Sequence, residues 1–341
     1  MLSKQFRRTR IKMEQNLILI CGATGFIGRN FLNYFGSRKG QKIRAVYNVR
    51  PPFDVSHLPA EIEWVKADLR APGDVEKAMD NVSVVIQAAA TTSGAKDIVS
   101  KPYIHVTDNA VMNSLLLRSA YHHNVSHFIF FSCTVMYQSS ETALSENDFD
   151  ETRPLHPRYF GVGNTKIYIE KMLEFFSNIS DMKTTAIRHS NIYGPYDKFD
   201  FERSHVFGAT VSKVMLADSK ISVWGTGEEE RDLLHVDDLC DFVDKAIQKQ
   251  TQKYRLYNCG LGEKISIRSL VNKIIEKSRK DLAIVHDLSQ PTIKTSLYLD
   301  CSLAKTELDW MPTVSLDEGI SRTLDWWREN IDTETLKFRK K

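Results

Sequence analysis

The apolar run Leu17-Ile18-Leu19-Ile20 is followed by Gly22, Gly25 and Gly28 at three-residue spacing, and then by an apolar, helix-compatible segment reaching Phe35. A buried parallel strand, a tight turn and a helix start in that order admit few folds. A side chain at Gly22 or Gly25 would keep the backbone from approaching a pyrophosphate, and one at Gly28 would push the helix off the sheet. The phosphates then rest on free N–H groups at the helix N-terminus. An ordinary strand-to-helix turn can carry the same glycines. The strand before them, the helix after them and their place near the start of the chain favour nucleotide binding.

At 341 residues, 42% of them hydrophobic, the chain can bury a large core and has the length of two lobes. Its formal charge of +3 is small and spread out, which gives no electrostatic case for a nucleic-acid partner. No apolar run approaches the ~20 residues that span a bilayer, so no membrane partner is expected. Cys21, Cys133, Cys240, Cys259 and Cys301 are odd in number, scattered and without metal-ligand spacing. No metal site follows from them, and a reducing, cytoplasmic compartment is the simplest account. Residues 1–13 are basic, lack acidic side chains and a signal-peptide core, and read as a disordered extension or the result of an upstream start codon, with a targeting segment the alternative.

With Thr24 inside it, the glycine spacing resembles that of the extended short-chain dehydrogenase/reductase superfamily. Motifs from Leu17 to Trp327 narrow the resemblance to the NAD(P)-dependent nucleotide-sugar epimerase/dehydratase family, and the substrate-side motifs are nearest to GDP-fucose synthase-like epimerase/reductases. The resemblance implies an α/β fold. A Rossmann doubly wound parallel sheet would occupy residues 14–187, and a smaller mixed α/β substrate-binding lobe residues 188–341, partly interleaved with the first. Gly22, Thr24, Gly25, Phe26, Ile27 and Gly28 would form the cofactor turn.

The second strand, Lys42 to Val46, runs into Tyr47-Asn48-Val49-Arg50. An acidic residue there would bind the ribose hydroxyls of NAD, whereas a cation would favour the 2′-phosphate of NADP. No carboxylate is present and Arg50 is near, so NADP is expected, with NAD the alternative. Arg50 could also be a solvated loop residue ahead of Pro51-Pro52. A third strand, Ile62 to Lys66, leads to Asp68-Leu69, which resembles the family's pair beside the adenine. A fourth, Val82 to Ile86, leads to Ala88-Ala89-Ala90, resembling the small residues beside the cofactor's phosphates and ribose. In the helix Val106 to Tyr121, Asn109 matches an asparagine that steadies the family's active site. The resemblance also places His189 among the cofactor contacts.

The fifth strand, Phe128 to Phe131, is wholly apolar, and Ser132-Cys133-Thr134-Val135-Met136-Tyr137 leaves its carboxyl end, where open parallel sheets face their ligand crevice. The family reads Ser-Ser-x-x-Val-Tyr-Gly there, with a catalytic Ser or Thr four residues before the tyrosine. That position is Cys133, and Thr134 stands beside it. Thr134 and Val135 replace the acid and base of the sugar dehydratases, which argues against 4,6-dehydration by those groups. Cys133 is either an acid/base or a packing residue.

The family's Tyr-x-x-x-Lys pairs a proton-shuttling phenol with a lysine one turn later, which binds the nicotinamide ribose and lowers the phenol's pKa from about 10. Lys166 and Glu170 match that helix, but Val162 stands four residues before Lys166. Three readings remain. Tyr159, seven residues before Lys166 and so on the same helical face, supplies the phenol; or the glycine-rich entry Gly161-Val162-Gly163 is rearranged; or no tyrosine takes part.

A sixth strand, Thr184 to Arg188, leads into a segment resembling Arg-x-x-Asn-x-Tyr-Gly-Pro, whose asparagine, here Asn191, contacts the sugar nucleotide. The stretch Asp197 to Phe207 resembles the GDP-fucose synthase loop in which a Ser-His-Val histidine is an acid/base in epimerisation. His205 and Val206 stand there, and Lys213 matches a substrate-contacting cation. The run Val223 to Asp238, with Trp224 and Arg231, resembles a motif whose arginine binds the substrate's diphosphate, a task suited to planar donors. Asp237 and Asp238 read as caps of the next helix. Pro291 to Thr295, Trp310-Met311-Pro312 and Trp326-Trp327 follow the family's tail, the tryptophans as core.

The expectation is an NADP- or NAD-dependent enzyme that epimerises or reduces a nucleoside-diphosphate sugar, a GDP-sugar first among them, as a homodimer. The alternative is a non-catalytic NAD(P)-binding scaffold or sensor that has lost the usual tyrosine.

Overall fold

The computed structural model describes residues 17–91, 103–200, 204–289 and 296–332. The expected extension 1–13, Phe201-Glu202-Arg203 and Pro291 to Thr295 lie outside the described residues.

The described strands are β1 (Leu17–Cys21), β2 (Lys42–Tyr47), β3 (Glu61–Lys66), β4 (Val84–Gln87), β5 (His127–Phe131), β6 (Lys183–His189), β7 (Asn191–Tyr193), β8 (Lys220–Trp224), β9 (Glu230–Arg231), β10 (Leu233–His235), β11 (Tyr254–Cys259), β12 (Ile265–Ser266) and β13 (Ala283–Asp287). The helices are α1 (Phe26–Gly36), α2 (Pro72–Met79), α3 (Tyr103–His122), α4 (Phe160–Asn178), α5 (Val206–Leu216), α6 (Val236–Lys249), α7 (Ile267–Ser278), α8 (Ser302–Leu308) and α9 (Leu316–Asn330). Seven strands form one parallel sheet in the order β11-β6-β5-β4-β1-β2-β3. β1 lies between β2 and β4, where the strand order reverses, and open sheets of this kind take their ligands at the carboxyl ends of the strands there.

The apolar runs are continuous because both faces of the sheet are covered. Ile18 and Ile20 pack with Phe31 and Phe35 of α1 and Phe242 of α6 on one face. The alternate residues Leu19 and Cys21 pack with Val75 of α2, Leu116 of α3 and Leu173 of α4 on the other. A third core joins Tyr193, Phe207, Val211, Ile221, Leu270, Ile320 and Trp327. Trp310 and Trp327 are buried as expected, while Trp326 is half-buried and packs edge-on against Tyr196.

Two local readings are corrected. The fourth strand starts at Val84, not Val82. Asp237 and Asp238 do not cap the helix they open: His235 does, its ring accepting the Asp237 N–H at 3.3 Å. Asp238 instead receives Thr313 N–H and Oγ1–H, each at 2.8 Å, and Val314 N–H at 3.1 Å, so its carboxylate holds the chain ahead of α9. Asp237 pairs with Arg322 at 3.1 Å.

Candidate active site

At the glycine turn, Gly22 has φ +71°, and a Cβ there would stand 2.9 Å from Ala89 Cα. A Cβ on Gly28 would stand 2.2 Å from the Gly22 carbonyl oxygen. The turn is thus pressed between α1 and the exit of β4, and Gly28 spares the turn's own backbone rather than the sheet. Gly25 is the N-cap of α1 and lends no side-chain acceptor, and the first helical turn, with Phe26 and Ile27, holds no acidic residue. A Cβ on Gly25 would approach only the Gly22 oxygen, at 3.2 Å, so a side chain would fill the space ahead of bare helical N–H groups. That donor set and that opening fit a diphosphate. Thr24 is half-buried beside it.

Around the turn, the half-buried Ala88 and Ala89 and the exposed Ala90 leave β4. Asn109 of α3 accepts Thr91 N–H at 3.0 Å and donates to Thr91 O at 3.1 Å, tying that exit to the helix. Leu69 is buried, and the Asp68 carboxylate takes Arg70 Nε at 2.9 Å and Nη2 at 2.8 Å, which holds its pKa below the usual carboxylate range. Arg50 is exposed just beyond β2.

The chemistry gathers at the carboxyl end of β5. Lys166 of α4 donates from Nζ to Phe131 O at 2.6 Å and lies 4.5 Å from the centre of the Phe130 ring. Burial lowers its pKa, opposed by Cys133 and Glu170. Burial raises the Cys133 thiol, opposed by the Lys166 cation and a hydrogen bond from Val135 N–H. Tyr159 is raised by burial as well, with Arg231 pulling it down and Cys133 pushing it up. Cys133, Lys166, Tyr159 and Arg231 therefore share one electrostatic neighbourhood, and Thr134 is half-buried beside Cys133.

Tyr159 reaches this site by a different route from the one expected. It lies outside α4, which begins at Phe160: Tyr159 ends a short 3-10 turn, Pro157–Tyr159, as the N-cap of α4. The glycines of the entry let it pack: a Cβ on Gly161 would stand 2.9 Å from Val106 Cγ2, and one on Gly163 2.7 Å from Leu155 Cδ1.

Across the crevice, burial lowers His189 to about 4, with Lys166 and His205 adding to the effect and its contact to Ser190 O opposing it. His205 caps α5 ahead of Val206; its protein surroundings, then Lys198, lower its pKa although the residue keeps an open face. Asn191 donates to Asp232 O at 3.1 Å. Arg231 donates to Glu230 O at 2.7 Å, and the Glu230 carboxylate goes to Lys264 at 2.7 Å. Lys213 reaches Ser222 O at 2.9 Å and lies 5.6 Å from the ring centre of the exposed Trp224.

Two buried carboxylates shape the site: Asp232, to which the sequence reading gave no role, and Glu170, whose helix it matched but whose partners it did not foresee. Asp232 accepts the N–H groups of Leu261, Gly262 and Leu299 at 2.8, 3.2 and 3.1 Å, with burial raising it to about 6. Its place beside Arg231 in the quoted motif was the available signal. Glu170 takes Ser132 Oγ–H at 2.5 Å and grips Arg188, fixing the strand exit that carries Cys133.

The model of the NAD dependent epimerase/dehydratase family matches residues 18–260. The chain is similar to GDP-L-colitose synthase of Yersinia pseudotuberculosis, at 26% identity over 91% of this chain and 97% of that protein. It is similar to dTDP-4-dehydro-6-deoxy-D-allose reductase of a Streptomyces species, at 26% identity over 91% of this chain and 96% of that one. Among solved structures, UDP-glucose 4-epimerase of Thermotoga maritima with UDP-glucose superposes with a TM-score of 0.79 at 24% identity, over 93% of this chain and 100% of that one, a likeness of fold.

Proposed function

The chain belongs to the NAD-dependent epimerase/dehydratase family, and on that premise we propose that it epimerises or reduces the sugar of a nucleoside-diphosphate sugar. The cluster at the carboxyl end of β5 carries this reading: Lys166 held 2.6 Å from Phe131 O, with Cys133 in its electrostatic reach, Tyr159 in that of Cys133, and Arg231 in that of Tyr159. A bound nicotinamide dinucleotide supplies hydride transfer at a sugar carbon. The chain's own residues do the rest. The bare N–H groups after Gly25 take its diphosphate, and Lys166, with His189 nearby, holds its ribose. Tyr159 and Cys133, both raised in pKa, are protonated at neutral pH and suited to donate to a carbonyl oxygen. His205, lowered in pKa, is neutral and suited to accept a proton from a carbon beside a carbonyl. Arg231, Asn191 and Lys213 hold the substrate's nucleotide half, with Trp224 and Val206 at its edge. A scaffold without chemistry would need none of these substrate-side groups.

Finer features of the reading rest on particular residues. Arg50, with no carboxylate at the end of β2, favours NADP over NAD. The exposed Val111 and Tyr121 of α3 and Tyr168 and Phe175 of α4 are a face suited to a second copy, hence a homodimer. Five free cysteines agree with a cytoplasmic setting. The dinucleotide part over 14–187 and the substrate lobe over 188–341 interleave through β11, which returns to the main sheet.

Thermal melting in the presence of nucleoside diphosphates tests the reading, since a ligand selective for the native state stabilises it. GDP or a GDP-sugar should raise the melting temperature, and Arg231→Ala should remove most of the rise. Stabilisation by UDP, dTDP or CDP compounds and not by GDP would move the assignment to another base; no stabilisation by any of them would overturn the site.

A further inference from the structure

Immediately after the glycine turn, the Arg29 guanidinium lies between two aromatic rings, 3.9 Å from the centre of Phe53 and 4.0 Å from that of Tyr196. Each is a cation–π contact. Its neighbour Asn30 donates from Nδ2 to Pro195 O at 3.0 Å. Tyr196 in turn meets Trp326 edge-on at 4.9 Å. The first turn of α1 therefore touches both the loop after β2, through Phe53, and the segment after β7, through Pro195 and Tyr196.

The backbone of Tyr196 is left-handed, with φ +68°. Bulky L-residues seldom adopt that conformation, and glycine adopts it freely. A glycine would turn the chain here with less strain; the tyrosine adds the ring on Arg29. Strain kept at such a point calls for a role.

From Tyr196 the chain passes directly over α5. A Cβ on Gly208 would stand 2.5 Å from Lys198 O, Ser212 donates from Oγ to Phe199 O at 2.9 Å, and Phe199 shares a core with Phe207 and Val211. The N-cap of α5 is His205. Contacts thus run from the helix that follows the glycine turn to the helix that His205 begins.

We propose that Tyr196 is a positioning residue: seated on Arg29, it fixes the segment Gly194 to Phe199, and through it the end of α5 that carries His205, relative to the dinucleotide turn. This rests on the reading of the site as one that acts on a nucleotide sugar. Tyr196→Phe keeps the ring, Tyr196→Gly removes it while relieving the left-handed backbone, and Arg29→Met removes the cation without touching Tyr196.

Three readouts separate positioning from bulk stability: the kcat and KM for the nucleotide sugar, the dinucleotide Kd, and the rate at which diethylpyrocarbonate modifies His205 in the ligand-free protein. In Tyr196→Gly and Arg29→Met, kcat/KM should fall by about tenfold or more while the dinucleotide Kd moves by less than about threefold. His205 should be modified at a changed rate in both, with Tyr196→Phe restoring the wild-type rate. The modification needs no substrate, so it reports on the Gly194 to Phe199 segment even if the assigned activity proves wrong. An unchanged His205 rate in both Tyr196→Gly and Arg29→Met overturns the proposal, as does a Tyr196→Phe variant that behaves like Tyr196→Gly.

Discussion

Arg188 binds Glu170 through two hydrogen bonds, Nε to Oε1 at 3.1 Å and Nη2 to Oε2 at 2.7 Å, with each side chain 4% exposed. The same carboxylate takes Ser132, and the same guanidinium reaches Tyr137 Oη at 3.2 Å, whose hydroxyl donates to Asn258 at 2.8 Å. One buried network therefore joins α4, β6, β11 and the exit of β5 directly under Cys133. Removing one partner of such a pair strands a charge, whereas replacing both can be nearly neutral. Arg188→Met should destabilise by about 3–5 kcal/mol in urea unfolding, and adding Glu170→Met should recover much of that loss. A double variant no better than the single one would show that the pair's charge is not what matters.

The glycine turn separates binding from folding. Gly25→Ala places a methyl ahead of the α1 N–H groups with only the Gly22 oxygen near, so the protein should stay folded and lose about tenfold or more in dinucleotide affinity by fluorescence titration. Gly28→Ala drives a methyl into the Gly22 backbone and should cost about 1–3 kcal/mol of stability besides. Normal binding by Gly25→Ala would remove the phosphate assignment.

Most of the sheet was legible because its strands are buried on both faces and so read as unbroken apolar runs, Phe128 to Phe131 most plainly. The site was legible where a motif is local, as at Gly22 to Gly28 or Lys166. It failed where a side chain's partner lies far along the chain. Nothing near Asp238 signals that it serves Thr313 and Val314, and by residue type it looks like a cap. Tyr159 was placed by helical spacing, but the 3-10 turn from Pro157 starts the helix one residue too late for that count. Arg29 carries no local signal, because its two rings, Phe53 and Tyr196, come from separate segments.

For the cofactor, NADPH should bind more tightly than NADH, and Arg50→Ala should narrow the gap without weakening NADH. The guanidinium is exposed, so the preference should also shrink as salt rises. Equal affinities in the wild type would return the choice to NAD.

His127 should set part of the acid sensitivity of the fold. Its ring is 3% exposed, its Nε2 lies 2.7 Å from Thr185 Oγ1, and burial, then Lys183, lower its pKa to about 3. The folded value lies below the unfolded one of about 6.5, so the unfolded chain takes the proton first. The stability held by the neutral ring is complete above pH 6.5 and is lost as pH falls towards 3, on the order of a few kcal/mol. His127→Gln should flatten the stability–pH curve across that window relative to the wild type. A curve of unchanged slope would mean that the ring is protonated in the fold.

Tyr159 is the remaining test of the chemistry. In the ligand-free site its phenol is raised above its ordinary value, with the Arg231 cation as the main opposing influence, so at neutral pH it is a proton donor rather than a base. That suits the reductive direction, in which a carbonyl oxygen takes up a proton as the carbon is reduced. Tyr159→Phe should then lower turnover by about 10²–10⁴-fold with little change in nucleotide affinity, the pattern of a lost transition-state contact. On the proposed reading, its raised thiol makes Cys133 the next donor, and His205, with its lowered pKa, is the base for the carbon-bound proton. Cys133→Ala and His205→Ala should accordingly divide, the first slowing reduction and the second slowing exchange of the sugar's C–H proton with solvent deuterium. Full turnover in all three variants would leave the site without an acid or a base from this set, and the chemistry would have to be sought elsewhere in the crevice.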